Sequence, residues 1–157
     1  MDCSTIQFKY ADQFSEQDLE QVIRLFRAAA FWAQDRSAED MATAIAHSYP
    51  VVTAWDGDLM IGFTRATSDG VFRATIWDVV IDPNYQGSGL GRKMVETLVS
   101  HPHMSRVERV YLMTTYQQGF YQRIGFEENP STTMVLYNTS PVEMLPALGQ
   151  PERAAIR

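Results

Sequence analysis

The stretch that decides the fold is Ile76-Trp77-Asp78-Val79-Val80-Ile81-Asp82-Pro83-Asn84-Tyr85-Gln86-Gly87-Ser88-Gly89-Leu90-Gly91-Arg92-Lys93. An apolar, β-branched run ends at an Asp-Pro turn signal, and glycine then fills every second position up to a helix-like start. Glycine lets backbone N–H groups converge on one point without a Cβ in the way. The helix start adds unpaired N–H donors and the positive end of its dipole. Gln86 to Gly91 therefore reads as an anion cradle suited to phosphate. Arg92 and Lys93 in the first turn oppose the dipole, a placement that makes sense beside a bound polyanion. The nucleotide-triphosphate loop requires Gly-Lys-Ser/Thr where this chain has Gly-Arg-Lys, and the dinucleotide fingerprint requires glycine in place of Arg92. Neither motif is present.

Upstream, Ile6 to Tyr10 alternates as a half-exposed strand. Leu19, Val22, Ile23, Phe26 and Ala30 recur at helical spacing after Ser15, with Asp18 three residues on as a capping partner. Ala38 to Ala46 reads as a second helix capped by Ser37. The loop between them carries Phe31 and Trp32 side by side. Val51–Trp55 and Leu59–Ala66 flank Asp56-Gly57-Asp58, a strong hairpin signal. A turn at Ser68-Asp69-Gly70 then leads into the strand 72–81. Downstream, a helix reaches about Ser100, Val107–Met113 is a strand, Gln118–Ile124 a short helix ended by Gly125, and Met134–Tyr137 a last strand. An antiparallel meander followed by a strand–helix–strand crossover makes a mixed α/β domain.

With 157 residues, 45% hydrophobic and 20% charged, the chain has the make-up of one globular domain. We assign it to residues 1–138, with 139–157 a proline-containing tail expected to be disordered or loosely packed. A net charge of −6 argues against nucleic acid as a partner and suits a cationic substrate. No apolar run reaches the ~20 residues that span a bilayer, so no membrane partner is expected. One cysteine and the absence of a signal-peptide pattern lead to the expectation of a cytoplasmic protein. Three scattered histidines give no metal-ligand spacing, and no metal is expected.

Gln86, Gly87, Gly89 and Gly91, following Val-Val-Ile-Asp-Pro-Asn-Tyr, match the Gln/Arg-x-x-Gly-x-Gly/Ala pattern, and the sequence here resembles the acetyl-CoA motif of the GNAT superfamily of N-acetyltransferases. Phe120-Tyr121-Gln122-Arg123-Ile124-Gly125-Phe126 resembles the family's second signature, a tyrosine followed by Gly-Phe. A closer resemblance, to the plastid and cyanobacterial branch that includes serotonin N-acetyltransferase, rests on residues 66–69, 74–79 and 82–87. It implies an α/β GNAT-type fold, with a mixed sheet of about six to seven strands and about four helices. It also implies acetyl-CoA as co-substrate and a small amine acceptor such as an arylalkylamine, used by direct attack. Protein lysines or N-termini are alternative acceptors, and a non-catalytic acyl-CoA-binding module is a further alternative. A homodimer is compatible with the resemblance.

By the same resemblance, backbone groups of Val79, Val80 and Ile81 hold the pantetheine, while Gln86, Gly87, Ser88, Gly89, Leu90, Gly91 and Arg92 hold the phosphates. Tyr121 contacts the cofactor and acts as general acid on the leaving thiolate. Thr115 stands where many relatives have a cofactor-contacting asparagine, six residues before the tyrosine. Phe31, Trp32, Trp77 and Asp78 face the acceptor. The residues themselves leave alternatives open. Phe31 and Trp32 could be core, and Trp77 core or pocket wall. Asp78, inside an apolar strand, is either a base of raised pKa or the partner of Arg65 or Arg73.

Overall fold

The computed structural model describes residues 5–138. These fall into two compact units, one ending at Met113 and the other starting at Thr114.

In the first unit the order is β1 (Gln7–Tyr10), α1 (Glu16–Ala29), α2 (Ala38–Ala46), β2 (Val51–Asp56), β3 (Leu59–Ser68), β4 (Arg73–Ile81), α3 (Leu90–Val99), α4 (Pro102–Ser105) and β5 (Arg109–Tyr111). Single 3-10 turns lie at Phe31–Ala33 and Pro83–Tyr85. The strands form one sheet in the order β1-β2-β3-β4-β5. The first four are antiparallel, and β5 runs parallel to β4, as the crossover through α3 requires.

Local chemistry sets the helix starts. Ser15 Oγ accepts from Asp18 N–H at 3.1 Å, and Asp18 Oδ2 accepts from Ser15 N–H at 2.9 Å, closing the expected capping box of α1. Ser37 Oγ accepts from Asp40 N–H at 3.0 Å and starts α2. The apolar stripe of α1 buries Val22, Leu25 and Phe26 against Met41 of α2 and Phe63 and Val80 of the sheet. Each fully buried side chain of this kind is worth about 1.5–3 kcal/mol. Successive strand residues face opposite sides, so Gly62 looks away from that core and towards α3. A Cβ at Gly62 would lie 3.3 Å from Met94 Sδ and 3.0 Å from Ile81 Cδ1, and glycine is what lets α3 approach this closely. The sheet is thus sandwiched between α1 with α2 and α3.

The second unit contains α5 (Gln118–Gln122) followed by an irregular stretch to residue 138.

The α/β class and the mixed sheet agree with expectation, but two details differ. The sheet has five strands among the described residues, not six to seven. Met134–Tyr137 is not a strand, and its side chains are exposed by 92, 66, 86 and 44%. An apolar, β-prone run becomes a strand only when a neighbour pairs with it. The fifth helix, the single turn α4, was unforeseen. Its start carries proline at N1, and His101 Nδ1 accepts the His103 N–H at 3.1 Å. The proposed tail from residue 139 lies outside the described residues.

Candidate active site

The site of the first unit is built on the β4 edge. β5 pairs with β4 only through Arg73, Ala74 and Thr75. Beyond Thr75, among the described residues, no strand pairs with that edge of β4 up to Ile81. Among the described residues, the backbone groups on that side of β4 have no ladder partner there. The opposite edge stays paired with β3, but irregularly. From Arg65↔Trp77 to Phe63↔Val80, β3 advances two residues while β4 advances three. The extra residue is a β-bulge, and Asp78 sits in it at φ +57, in the left-handed region. Asp tolerates that region better than most residues. Thr64, fully buried, donates its hydroxyl to Trp77 O at 3.2 Å and holds the bulge from the neighbouring strand.

Asp78 is an ion-pair partner. Its side chain is 5% exposed, and Oδ2 accepts from Arg65 Nε at 2.7 Å and Arg36 Nη1 at 3.0 Å. Arg73, the other arginine considered from the sequence, pairs with Glu108 at 3.4 Å instead. Trp77 is half-buried, donates its indole N–H to Thr67 Oγ1 at 2.9 Å and lies 6.0 Å from the Arg65 guanidinium. Phe31 and Trp32 form an edge-to-face pair with centroids 5.2 Å apart. They are 37 and 38% exposed, which sets aside the alternative that they are core.

Beyond β4 the chain is tied down before it reaches the glycines. Asp82, 4% exposed, pairs with Arg24 at 3.1 Å and caps the following 3-10 turn by accepting from Asn84 N–H at 3.0 Å. Tyr85 donates its hydroxyl to Asp56 Oδ2 at 2.7 Å, and this bond raises the phenol above its ordinary pKa. Gln86 Nε2 donates to Ile81 O at 3.0 Å, folding the loop back on the strand end. Ser88 Oγ donates to Tyr85 O. Gly87 and Gly89 then take φ +79 and +82, and Gly89 is the N-cap of α3, with no side-chain cap. The first-turn N–H groups of Leu90, Gly91 and Arg92 therefore point out of the helix end. A Cβ on Gly89 would meet no protein atom within 4 Å, so this face of the loop is open. Leu90, 4% exposed, roots the helix in the core. Arg92 reaches Glu96 at 2.7 Å on the exposed face, and Lys93 lies over the Phe8 ring at 4.9 Å. These donors and the open face of the loop suit an anionic group such as phosphate.

In the second unit Tyr121 is 8% exposed and packs edge-on against Phe120 at 4.9 Å and Phe126 at 5.9 Å. Its carbonyl accepts the Phe126 N–H at 3.1 Å, which closes the turn at Gly125. Thr115 is exposed, and its carbonyl accepts from Gln118 Nε2 at 3.0 Å.

The sequence reading did not find Arg36, Arg24, Tyr85 or Asp56. Only Arg24 carried a local signal, a charged residue beside the apolar stripe of α1. Among the described residues no group of three or more His, Cys, Asp or Glu could hold a metal, and no helix is long and apolar enough to cross a membrane.

Comparison with known proteins bears directly on this site. GCN5-related N-acetyltransferase 2, chloroplastic, of Arabidopsis thaliana is 49% identical over 72 residues, 45% of this chain and 28% of that protein. Serotonin N-acetyltransferase 2, chloroplastic, of Oryza sativa subsp. japonica is 42% identical over 71 residues, 45% of this chain and 36% of that protein. The matched stretch thus spans about a third of either plant protein. Both relatives are chloroplastic by name, which overturns the cytoplasmic location expected from the sequence. Among solved structures, the GNAT family protein SP0256 of Streptococcus pneumoniae superposes with a TM-score of 0.71 at 26% identity, covering 86% of this chain and 99% of that one. Residues 19–126, which hold most of α1, the bulged strand, the glycine cradle and Tyr121, match the acetyltransferase (GNAT) family, and the chain belongs to it.

Proposed function

We propose that the chain transfers the acetyl group of acetyl-CoA to a small primary amine of the arylalkylamine class, by direct attack in a ternary complex. The observation that carries this reading is the open, bulged edge of β4 running into the glycine cradle. Acetyl-CoA, when bound, supplies the thioester. The loop from Gln86 to Gly91, with Arg92, binds its phosphates. Backbone groups along Val79–Ile81 hold the pantetheine and polarise the carbonyl under attack. Tyr121 donates a proton to the departing thiolate. Cys3 has no base partner in the sequence, so no acetylated enzyme is invoked.

On the acceptor side, Phe31 and Trp32 offer exposed ring faces and edges to an aromatic amine, and Trp77, half-buried beside Arg65, is assigned to the acceptor wall. Asp78, whose Oδ2 is held by two guanidiniums, is read as shaping this side of the site in preference to acting as the base. The plant relative named for serotonin supports an aromatic acceptor.

The test is thiol release from acetyl-CoA with a panel of arylalkylamines, polyamines and lysine peptides. Turnover highest with arylalkylamines is expected. Turnover confined to lysine peptides would reassign the acceptor to protein, and cofactor binding without turnover on any acceptor would reassign the chain to an acyl-CoA-binding module.

A further inference from the structure

We propose that Arg36 is a positioning residue for the acceptor: through the carboxylate of Asp78 it locks the aromatic loop ahead of α2 onto the bulge of β4. The inference rests on the acetyltransferase reading of that strand edge.

One oxygen joins three segments. Asp78 Oδ2 receives Arg65 Nε from β3 at 2.7 Å and Arg36 Nη1 from the loop at 3.0 Å. Arg65 extends the network by donating from Nη1 to Ser48 Oγ at 3.0 Å, and Ser48 Oγ donates to Ala44 O at 2.6 Å in α2. The two arginines are not equivalent. The Arg65 side chain is 14% exposed and belongs to the sheet, whereas that of Arg36 is 37% exposed. Arg65 by itself balances the charge of Asp78, so charge balance does not require Arg36. What Arg36 adds is a tether.

The loop has use for one. Phe31 and Trp32 are more than a third exposed, and among the described residues the ring contact they make is with each other. Their position depends on the backbone that carries them. Arg36 follows Trp32 by four residues, and its guanidinium lies 5.5 Å from the Phe26 ring of α1. At the other end of the tether, Asp78 holds its left-handed conformation where β4 has its extra residue. Releasing Arg36 should therefore loosen the loop and, through Asp78, the bulge of β4, while Val80 and Ile81 stay paired with β3 and keep the cofactor edge in place. The acceptor loop and the bulge of β4 share one carboxylate.

The test uses Arg36→Met and Arg36→Lys in the full chain, with two readouts. The first is steady-state kinetics. Arg36→Met should raise KM for the amine about tenfold while the Kd of acetyl-CoA stays within about twofold. Arg36→Lys should recover most of the loss, because one N–H to one oxygen is what must be replaced. A merely structural role would lower the melting temperature without splitting the two substrates. The second readout is amide hydrogen exchange of the free protein, which needs no activity. Exchange should quicken in Arg36→Met both at residues 31–36 and at residues 76–79. An unchanged amine KM, or quickening confined to 31–36, overturns the proposal. If the wild-type chain acetylates no amine, the functional reading falls, and exchange alone decides the tether: quickening in both segments supports it, and no quickening at 76–79 overturns it.

Discussion

Arg65 Nε meets Asp78 Oδ2 at 2.7 Å across a β-bulge that gives β4 one residue more than β3. Both side chains are largely removed from water, at 14 and 5% exposure. Removing one charge from such a pair leaves the other buried and uncompensated, which costs about 3–5 kcal/mol. Asp78→Asn is a clean probe, because asparagine tolerates the left-handed region and keeps the bulge. It should lower unfolding stability by roughly that amount, measured by urea denaturation. Because both guanidiniums already occupy Oδ2, the acid limb of the pH–rate profile should survive in the variant. A flattened limb would instead make Asp78 the base.

Gly89 tests the cradle. At φ +82 an alanine is strained by about 1–2 kcal/mol, although its Cβ would meet no protein atom. That Cβ would project into the space assigned to phosphate. Gly89→Ala should therefore weaken CoA binding about tenfold or more in titration calorimetry. An acetyl-pantetheine substrate lacking the pyrophosphate should be used by the variant as well as by the wild type. Equal losses for both ligands would mean that the loop only supports the fold.

How much of this could be read from the chain follows the range of the interaction. The caps at Ser15 and Ser37, the Asp56-Gly57-Asp58 hairpin and the glycine loop are set by residues within a few positions of one another, and all were legible. The order of elements from β1 to α3 was legible for the same reason. The bulge was not. It is defined by the register of β4 against β3, and an Asp in an apolar strand signals burial but not a left-handed backbone. Arg36 meets Asp78 across 42 positions of sequence, and Tyr85 meets Asp56 across 29, with no periodicity to announce either contact. Met134–Tyr137 shows the converse failure. Its composition favours a strand, yet pairing depends on a neighbour that composition does not reveal.

Tyr121 offers a substitution that spares packing. The ring is 8% exposed and wedged edge-on between Phe120 and Phe126, so Tyr121→Phe retains the aromatic contacts and deletes the hydroxyl alone. If that hydroxyl protonates the thiolate, kcat should fall by about 10²–10⁴-fold with the Kd of acetyl-CoA little changed. Stopped-flow thiol release under single-turnover conditions isolates the chemical step. An unchanged rate would remove Tyr121 from the mechanism while leaving the cradle untouched.

Asp69 governs the turn between β3 and β4, and its effect is set by pH. Its Oδ1 accepts from the N–H groups of Val71 at 2.8 Å, Phe72 at 2.7 Å and Arg73 at 3.1 Å. The bond from Val71, then those from Arg73 and Phe72, hold the carboxyl below its ordinary pKa. A carboxylate whose pKa is depressed in the folded state stabilises the fold above the unfolded-state value, near pH 4, and that contribution is lost as pH falls through the lower folded value. The melting temperature of Asp69→Asn should therefore lie below that of the wild type at neutral pH. The two curves should converge on acidification, because protonated Asp69 and asparagine both present one acceptor oxygen. A constant gap down to the acid limit would show that the turn depends on the shape of residue 69 and not on its charge.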